Sequence, residues 1–190
     1  MALASVLVPL LLLAAARPVV WAQVSVAGSC PQHQVVHNFN FKLYLGKWYE
    51  YQKLNFSKAT GVCNTAEYYV GQTGGVVVRN TEYDPRTGEK NEVVGSARLN
   101  STAGEGKLMT SFPVSGNVWR PYLVLSTDYA NYTVVWSCLD LGSTSMQFSW
   151  VLTRQKEPSA GVLWAVDQVL QSRGLSSLPY NRTPQNCHGN

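Results

Sequence analysis

Short segments rich in Val, Tyr, Trp, Thr and Leu fill the chain between residues 44 and 154, and turn-forming residues separate them. Short segments of this composition, bounded by turns, are typical of β-strands. The strongest turn signal is the run Asp84-Pro85-Arg86-Thr87-Gly88, and a glycine-rich stretch at residues 71–75 marks another. The pattern predicts eight strands, at residues 46–54, 63–70, 76–82, 90–99, 107–112, 120–127, 132–139 and 145–154.

Eight strands in a meander leave two unpaired sheet edges unless the sheet closes on itself. An eight-stranded antiparallel up-and-down β-barrel has no edges and is just wide enough inside to hold one small ligand. The strand pattern therefore favours an all-β barrel with a binding role, although at this point a β-sandwich fits the pattern as well.

One segment departs from the strand pattern and predicts a single α-helix at residues 159–173, packed outside the barrel. Its apolar residues recur with helical spacing, at Val162, Leu163, Val166, Val169 and Leu170. Pro158 and Ser159 provide a start signal and Gly174 a stop signal. The tail at residues 175–190 has no periodicity, and a disulfide at Cys187 would tether it.

The first residues of the chain, 1–22, have the pattern of a secretory signal peptide, with an apolar run followed by the small-residue ending Val20-Trp21-Ala22. The apolar run is shorter than the roughly 20 residues that a membrane-spanning helix needs. We expect a mature, secreted domain at residues 23–190, with its barrel at about 44–154. Secretion makes the Asn-x-Ser/Thr sequons at Asn55, Asn100, Asn131 and Asn181 sites that permit glycosylation.

Four cysteines, Cys30, Cys63, Cys138 and Cys187, stand far apart in the chain. In an oxidising compartment an even number of cysteines predicts two disulfides, and four cysteines allow three pairings. Their wide spacing disfavours a zinc site. The formal net charge is only +4 and the basic residues are scattered, so the sequence gives no indication of nucleic-acid binding.

Three motifs occur in order along the predicted barrel. Gly46-Lys47-Trp48 opens the first strand, Thr127-Asp128-Tyr129-Ala130-Asn131-Tyr132 joins two later strands, and Arg154 follows the last strand. With these motifs in register, residues from about Cys30 to Cys187 resemble the lipocalin family. The stretches around Trp48 and Asp128 look like its apolipoprotein D branch, which includes insect relatives such as Lazarillo and the bilin-binding proteins.

The resemblance implies disulfides Cys30–Cys138 and Cys63–Cys187. It also implies a structural role for the motif residues Gly46, Trp48, Thr127, Asp128, Tyr132 and Arg154. Trp48 would close one end of the barrel, and the Arg154 guanidinium would lie across its indole ring in a cation–π contact. The same guanidinium could donate to backbone carbonyls near the Asp128 turn.

Side chains alternate across a strand, so one known orientation predicts its neighbours. Cys138 must reach outside the barrel, which places Val134 and Trp136 outside and Thr133, Val135 and Ser137 inside. Cys63 likewise faces out with Thr65, Glu67 and Tyr69, which leaves Asn64, Ala66, Tyr68 and Val70 inside. Trp48 brings Glu50 and Gln52 to the inner face, and Arg154 shares its face with Trp150, Phe148 and Met146. A single β-bulge would reverse any one of these assignments.

These orientations, together with the resemblance, predict a ligand-binding set of Tyr68, Asn80, Glu82, Phe112, Tyr122, Val135, Phe148 and Trp150. Asn80 and Glu82 match positions that face the pigment in bilin-binding relatives, but Glu82 stands where such a relative has a histidine. Trp119, in a long loop at the predicted mouth, either contacts a lipid or a partner or folds over the rim. We therefore expect a small hydrophobic ligand as the main partner, and mouth loops that could touch a lipoprotein or membrane surface. The sequence is compatible with a monomer or an oligomer.

The sequence contains no catalytic motif: the three histidines are not grouped with carboxylates, and G-x-S-x-G, P-loop and H-E-x-x-H patterns do not occur. The resemblance predicts an extracellular carrier of a fatty acid, sterol, retinoid or tetrapyrrole, with no catalysis, no metal and no required cofactor. One alternative is a pigment protein that holds biliverdin or a carotenoid. Another is an antioxidant in which Met109 or Met146 reduces lipid hydroperoxides and becomes a sulfoxide.

Overall fold

The structure, a computed structural model, describes residues 25–54 and 61–187. The predicted signal peptide at residues 1–22, the sequon asparagine Asn55 and His188 lie outside the described residues.

Ten strands and two α-helices make up the described residues, and the eight predicted strands are all present with bounds within one or two residues of those expected. The strands are β1 (Ser25–Ala27), β2 (Gly46–Leu54), β3 (Val62–Val70), β4 (Val76–Tyr83), β5 (Lys90–Leu99), β6 (Lys107–Ser111), β7 (Arg120–Thr127), β8 (Tyr132–Asp140), β9 (Thr144–Thr153) and β10 (Tyr180–Arg182). The helices are α1 (Phe41–Tyr44) and α2 (Ala160–Ser172).

Strands β2 to β9 pair antiparallel with their neighbours in chain order, and β9 also pairs with β2. The sheet is therefore a closed eight-stranded up-and-down barrel, as the meander predicted. Two extra strands extend this sheet. β1 pairs with β9 beyond the part of β9 that pairs with β2, and β10 pairs with the end of β2 on the edge that faces β3.

Helix α2 packs against the outside of the barrel. The Ser159 hydroxyl caps its first turn by accepting from the Val162 backbone N–H. Val166 and Leu170 on its inner side are buried against Val134 and Trp136 of β8. This helix was predicted to within a residue at each end, and Gly174, with φ +69°, ends it in the left-handed conformation that glycine tolerates.

A second cluster fills the interior of the barrel at one end. Tyr44 and Trp48 are completely buried there, together with Tyr68 and Leu152. The protein thus has one apolar layer between α2 and the barrel, and another that closes the barrel from within.

The structure forms the disulfides Cys30–Cys138 and Cys63–Cys187, the pairing that the resemblance implies. The first ties the segment before β2 to β8, and the second ties the C-terminal tail to β3. No free cysteine remains among the described residues.

Two expectations about β2 and β3 need correction. The β2–β9 register shifts between Glu50 and Gln52, and this bulge sets Gln52 opposite Val151, which belongs to the layer under α2. Gln52 therefore faces outward, whereas unbroken alternation from Trp48 placed it inside. Thr65, expected to face outward, borders both the cavity and the outer surface.

The sequence analysis did not predict the short elements β1, α1 and β10. Of these, β10 lies in the tail, which was expected to be irregular. In the part of the chain that the structure describes, no helix has the length and apolarity to span a membrane.

Candidate functional site: the barrel cavity

The two ends of the barrel differ. At one end the strands are joined by the segments at residues 71–75, 100–106 and 128–131, and this end is closed by the inner aromatic cluster. At the other end lie the segments at residues 84–89, 112–119 and 141–143. We call these the closed end and the mouth.

Arg154 stabilises the closed end by contacts with separate parts of the chain. Its Cζ lies 3.6 Å from the centre of the Trp48 ring, in the predicted cation–π contact. The guanidinium also donates to the backbone carbonyls of Lys47 and Leu45, each at 2.8 Å, and to that of Tyr129 at 3.0 Å. The Trp48 indole N–H donates to the Tyr44 carbonyl at 2.9 Å. One arginine thus joins the start of β2 to the β7–β8 turn.

Gly46 permits this approach. Its φ is +96°, and a Cβ there would lie 3.3 Å from an Arg154 guanidinium nitrogen. A side chain at this position would therefore strain the backbone and crowd the arginine.

The Asp128 turn is held by its own side chains. Asp128 accepts from the backbone N–H groups of Asn131 at 2.8 Å and Tyr132 at 3.0 Å, and from the Asn131 amide at 2.7 Å. Burial alone would raise the pKa of Asp128, but these hydrogen bonds favour its ionised form and the net shift is downward. Thr127 closes the turn by donating to the Tyr132 carbonyl at 2.7 Å. The predicted motif residues are therefore parts of the closed end.

A cavity of about 590 Å³ occupies the barrel between this end and the mouth. Its volume lies within the range of small-molecule pockets, about 300–1,000 Å³. Five aromatic side chains among the described residues line it: Tyr68, Phe112, Tyr122, Phe148 and Trp150. Aliphatic residues from several strands fill in between them: Ala66, Val78, Val93, Leu139 and Leu152.

The structure places seven of the eight predicted ligand-binding residues around this cavity: Tyr68, Asn80, Glu82, Phe112, Tyr122, Phe148 and Trp150. Val135 is not among the lining residues and is completely buried. It lies opposite Trp150 in the β8–β9 register, so alternation gives its side of the sheet but not its distance from the cavity.

Two features set the aromatic walls. The rings of Phe148 and Trp150 are nearly parallel, with centroids 6.1 Å apart. Phe112 packs against Gly95, where a Cβ would come within 2.4 Å of its ring. Only glycine leaves room for the phenyl ring at that point.

Three tyrosine hydroxyls meet where the cavity ends in the inner aromatic cluster. The Tyr68 hydroxyl donates to the Tyr122 oxygen at 2.7 Å, and the Tyr122 and Tyr44 oxygens are 3.0 Å apart. Burial raises the pKa of Tyr44 to about 12 and raises the pKa values of Tyr68 and Tyr122 well above the usual 10. All three phenols therefore keep their protons near neutral pH.

Glu50 is charged and buried in the cavity wall, but its polar partners are already in place. Lys53 Nζ lies 2.9 Å from its carboxylate, and the Thr183 hydroxyl donates to the same oxygen at 2.7 Å. Asn64 donates to it at 3.1 Å, and Gln185 donates to the Glu50 carbonyl at 2.9 Å. This cluster anchors the C-terminal tail to the barrel, since a buried charge needs such compensation.

The mouth carries a cation that the sequence analysis did not single out. Arg120, at the start of β7, lines the cavity and forms no ion pair with any residue that the structure describes. It could have been found from its position two residues before Tyr122, because residues i and i+2 of a strand share a face. Glu82 lines the cavity on β4.

Exposed apolar residues surround the mouth. Val114 is 78% exposed and Val118 48% exposed in the β6–β7 segment, and Leu141 is 55% exposed in the β8–β9 segment. Trp119 is only partly exposed, because the Arg98 guanidinium stacks on its ring at 4.3 Å. The exposed apolar surface therefore comes from aliphatic residues rather than from Trp119.

A closed eight-stranded barrel with an internal cavity and a Trp–Arg pair at its closed end defines the lipocalin class of protein. Residues 45–186 match the lipocalin / cytosolic fatty-acid binding protein family, and the chain belongs to this family.

Its similarity to known proteins supports the branch indicated by the motifs. The chain is 37% identical over 163 residues to the Lazarillo protein of Schistocerca americana, covering 83% of this chain and 75% of that protein. It is 34% identical to apolipoprotein D of Mus musculus, covering 84% of this chain and 85% of that protein.

Solved structures share the fold. Insecticyanin from the tobacco hornworm Manduca sexta matches with a TM-score of 0.73 at 22% identity, covering 85% of this chain and 88% of that chain. Lobster apocrustacyanin A1 matches with a TM-score of 0.68 at 22% identity, covering 85% and 91%.

The groups available for chemistry are few in the described residues. These residues include no cluster of three or more His, Cys, Asp or Glu side chains that could hold a metal. His33 packs edge-on against Trp136, on the outer side of the barrel. Met109 and Met146 are half-buried, and Met146 lies opposite the cavity residue Leu139.

Proposed function

We propose that this protein is an extracellular carrier that holds one small hydrophobic or amphipathic molecule in the barrel cavity. The observation that carries the proposal is a cavity of about 590 Å³ that is lined mainly by aromatic and aliphatic side chains and closed at one end by Trp48. Burial of apolar ligand surface there would supply about 25 cal/mol per Å² before the entropic costs of binding.

Two features support an extracellular location. Both described disulfides link residues more than 100 positions apart, and such bonds persist in oxidising compartments. The sequon asparagines Asn100, Asn131 and Asn181 are exposed, as glycosylation requires. Asn100 is the most open of these sites, since the Asn131 amide is bonded to Asp128 and the Asn181 sequon ends in the buried Thr183.

Binding without catalysis fits the side chains of the cavity. Among the described residues that line the cavity there is no histidine or cysteine, and the Glu50 carboxylate already accepts a hydrogen bond from Thr183 of the tail. The ligand, whether a fatty acid, sterol, retinoid or tetrapyrrole, would be held by shape and by a few polar contacts. Biliverdin or a carotenoid would be detected by visible absorbance in the secreted material.

Filling the cavity tests the carrier function. Val93 on β5 lines the cavity, whereas its neighbour Val94 is 43% exposed on the outer face. We expect Val93→Trp to raise the dissociation constant for hexadecanoic acid about tenfold, since overpacking an occupied site costs about 1–3 kcal/mol. The affinity is measured by displacement of anilinonaphthalene sulfonate fluorescence.

Val94→Trp is the matched control, because it adds the same ring one residue away on the opposite face. It should bind as the wild type does. Equal affinities for the two variants, or no displacement of the dye from the wild type, would count against carriage in the barrel.

We further propose that the mouth touches a lipid surface when the ligand is exchanged. Val114 and Leu141 stand exposed on different mouth segments, and the cavity opens between them. Exposed apolar groups beside a binding site are a common feature of such contacts.

The double variant Val118→Asp/Leu141→Asp tests the mouth, because both side chains are exposed there and neither lines the cavity. We expect it to take up a fluorescent fatty acid from neutral phosphatidylcholine vesicles several-fold more slowly, because two charges resist burial in lipid. Its affinity for the same acid in solution should stay within about twofold of wild type. Val70→Asp is the control, since Val70 is 56% exposed at the closed end. Equal slowing by Val70→Asp would refute contact through the mouth.

A further inference from the structure

The tyrosine hydroxyls at the inner end of the cavity form a chain with a direction. Tyr68 donates to Tyr122, and Thr133 donates to the Ser126 carbonyl at 3.3 Å. Between them, the Tyr122 and Tyr44 oxygens are 3.0 Å apart and the Tyr44 and Thr133 oxygens 3.4 Å apart.

Each hydroxyl has one proton to give, and that fixes the order of donors. If Tyr44 donated to Tyr122, the Tyr122 proton would have no acceptor among the described residues. If Tyr122 donates to Tyr44 and Tyr44 to Thr133, every proton of the chain has an acceptor. Buried hydroxyls favour the satisfied arrangement, and such chains strengthen each bond in turn.

The oxygen of Tyr68 is the open end of this chain. The Tyr122, Tyr44 and Thr133 oxygens each accept one proton, whereas no group that the structure describes donates to the Tyr68 oxygen. Tyr68 and Tyr122 both line the cavity, and Tyr44 and Thr133 lie behind them, completely buried. The chain can therefore accept a hydrogen bond from a ligand, but it has no free hydroxyl proton with which to donate one.

We propose that this chain selects ligands whose inner end carries a hydroxyl or another hydrogen-bond donor, and disfavours ligands whose inner end carries only an acceptor. The inference rests on the proposed carrier function and narrows its ligand class. The selection also sets the orientation of the ligand in the cavity: its hydroxyl end points inward, and an acid group at its other end lies near Arg120 at the mouth.

Three acids whose chains have the same number of carbon and oxygen atoms test the selection: ω-hydroxyhexadecanoic acid, ω-methoxypentadecanoic acid and heptadecanoic acid. The charged carboxylate of each acid stays at the mouth, where water can solvate it, so the three acids differ only at the end that lies inside the cavity. We expect the hydroxy acid to bind about tenfold more tightly than the methoxy acid, because a buried acceptor without a donor costs about 1–3 kcal/mol. Affinities are measured by dye displacement.

Tyr122→Phe provides the sharper readout. It removes the acceptor of the Tyr68 proton, which then becomes available to the ligand. The preference for the hydroxy acid should fall from about tenfold to near one in this variant, mainly because the methoxy acid binds better. Tyr180→Phe is the matched control, since the Tyr180 hydroxyl donates to Ser149 within the layer outside the barrel, and it should keep the wild-type ratio.

The outcomes separate the two proposals. Equal binding of the hydroxy and methoxy acids by the wild type, or an unchanged ratio in Tyr122→Phe, would overturn selection by the tyrosine chain and leave carriage intact. Failure of all three acids to displace the dye would overturn carriage as well. The comparison within the wild-type protein decides the matter even where Tyr122→Phe does not fold.

Discussion

Arg154→Met is expected to lower the free energy of unfolding by about 4 kcal/mol, because the closed end loses several charge-assisted hydrogen bonds at once, each worth about 1.5–3 kcal/mol. Besides the carbonyls of Lys47, Leu45 and Tyr129, the guanidinium reaches the Leu43 carbonyl at 3.2 Å. The cation–π contact with Trp48 adds about 0.5–2 kcal/mol. The total is less than the sum because some of the freed carbonyls can bind water.

The measurement is urea unfolding, supported by a fall in Tm of about 10 °C for a domain of this size. Arg154→Lys is the informative comparison. Lysine keeps the charge but lacks the planar fork of donors, so it cannot bond the carbonyls of Lys47, Leu45 and Tyr129 at the same time. We expect Arg154→Lys to recover less than half of the loss. A loss below about 1 kcal/mol for Arg154→Met would show that the closed end does not depend on this residue.

The sequence was most informative about secondary structure, because strands, turns and helices are determined largely by neighbouring residues in the chain. Strand alternation and turn residues predicted the eight barrel strands, and the spacing of Val166 and Leu170 predicted the outer helix. The requirement that Cys63 and Cys138 lie outside predicted the cavity residues Asn64, Ala66 and Tyr68 of β3 and Ser137 of β8. It was wrong for two residues of β3: Thr65 borders the cavity, and Val70, expected inside, is 56% exposed.

The sequence was less informative where tertiary contacts decide. Nothing local marks the bulge that turns Gln52 outward, because it arises from the closure of β9 on β2. The three-residue strands β1 and β10 pair with backbone groups that β9 and β2 leave free where their neighbouring barrel strands end. Arg120 was overlooked although its strand position was readable, and the direction of the tyrosine chain requires coordinates.

Removal of the Cys63–Cys187 disulfide, by Cys63→Ala/Cys187→Ala, is expected to cost up to about 5 kcal/mol of unfolding free energy. The bond closes a loop of 124 residues, and the chain-entropy model assigns a loop of that length about this value. The Cys30–Cys138 bond spans 108 residues, and since loop entropy grows only with the logarithm of length, Cys30→Ala/Cys138→Ala should cost nearly the same.

The two double variants should nevertheless differ in the native state. Without Cys187 the end of the tail is held by β10, by the polar contacts around Glu50 and by the Tyr180–Ser149 hydrogen bond. The Arg182 guanidinium also donates to the Tyr51 carbonyl at 2.8 Å and stacks on the Tyr51 ring at 3.5 Å. Detachment of the tail would let water reach the Glu50–Lys53 pair and would expose the peptide bond after Arg182.

Limited trypsin digestion under native conditions should therefore cut Cys63→Ala/Cys187→Ala after Arg182 many times faster than it cuts the wild type. The Cys30→Ala/Cys138→Ala variant is the matched control, since its tail remains tethered to β3. Equal cleavage of the two variants at Arg182 would mean that the disulfide constrains only the unfolded chain. Selective cleavage would mean that it also holds the tail, with its Thr183 hydroxyl on Glu50, against the cavity wall.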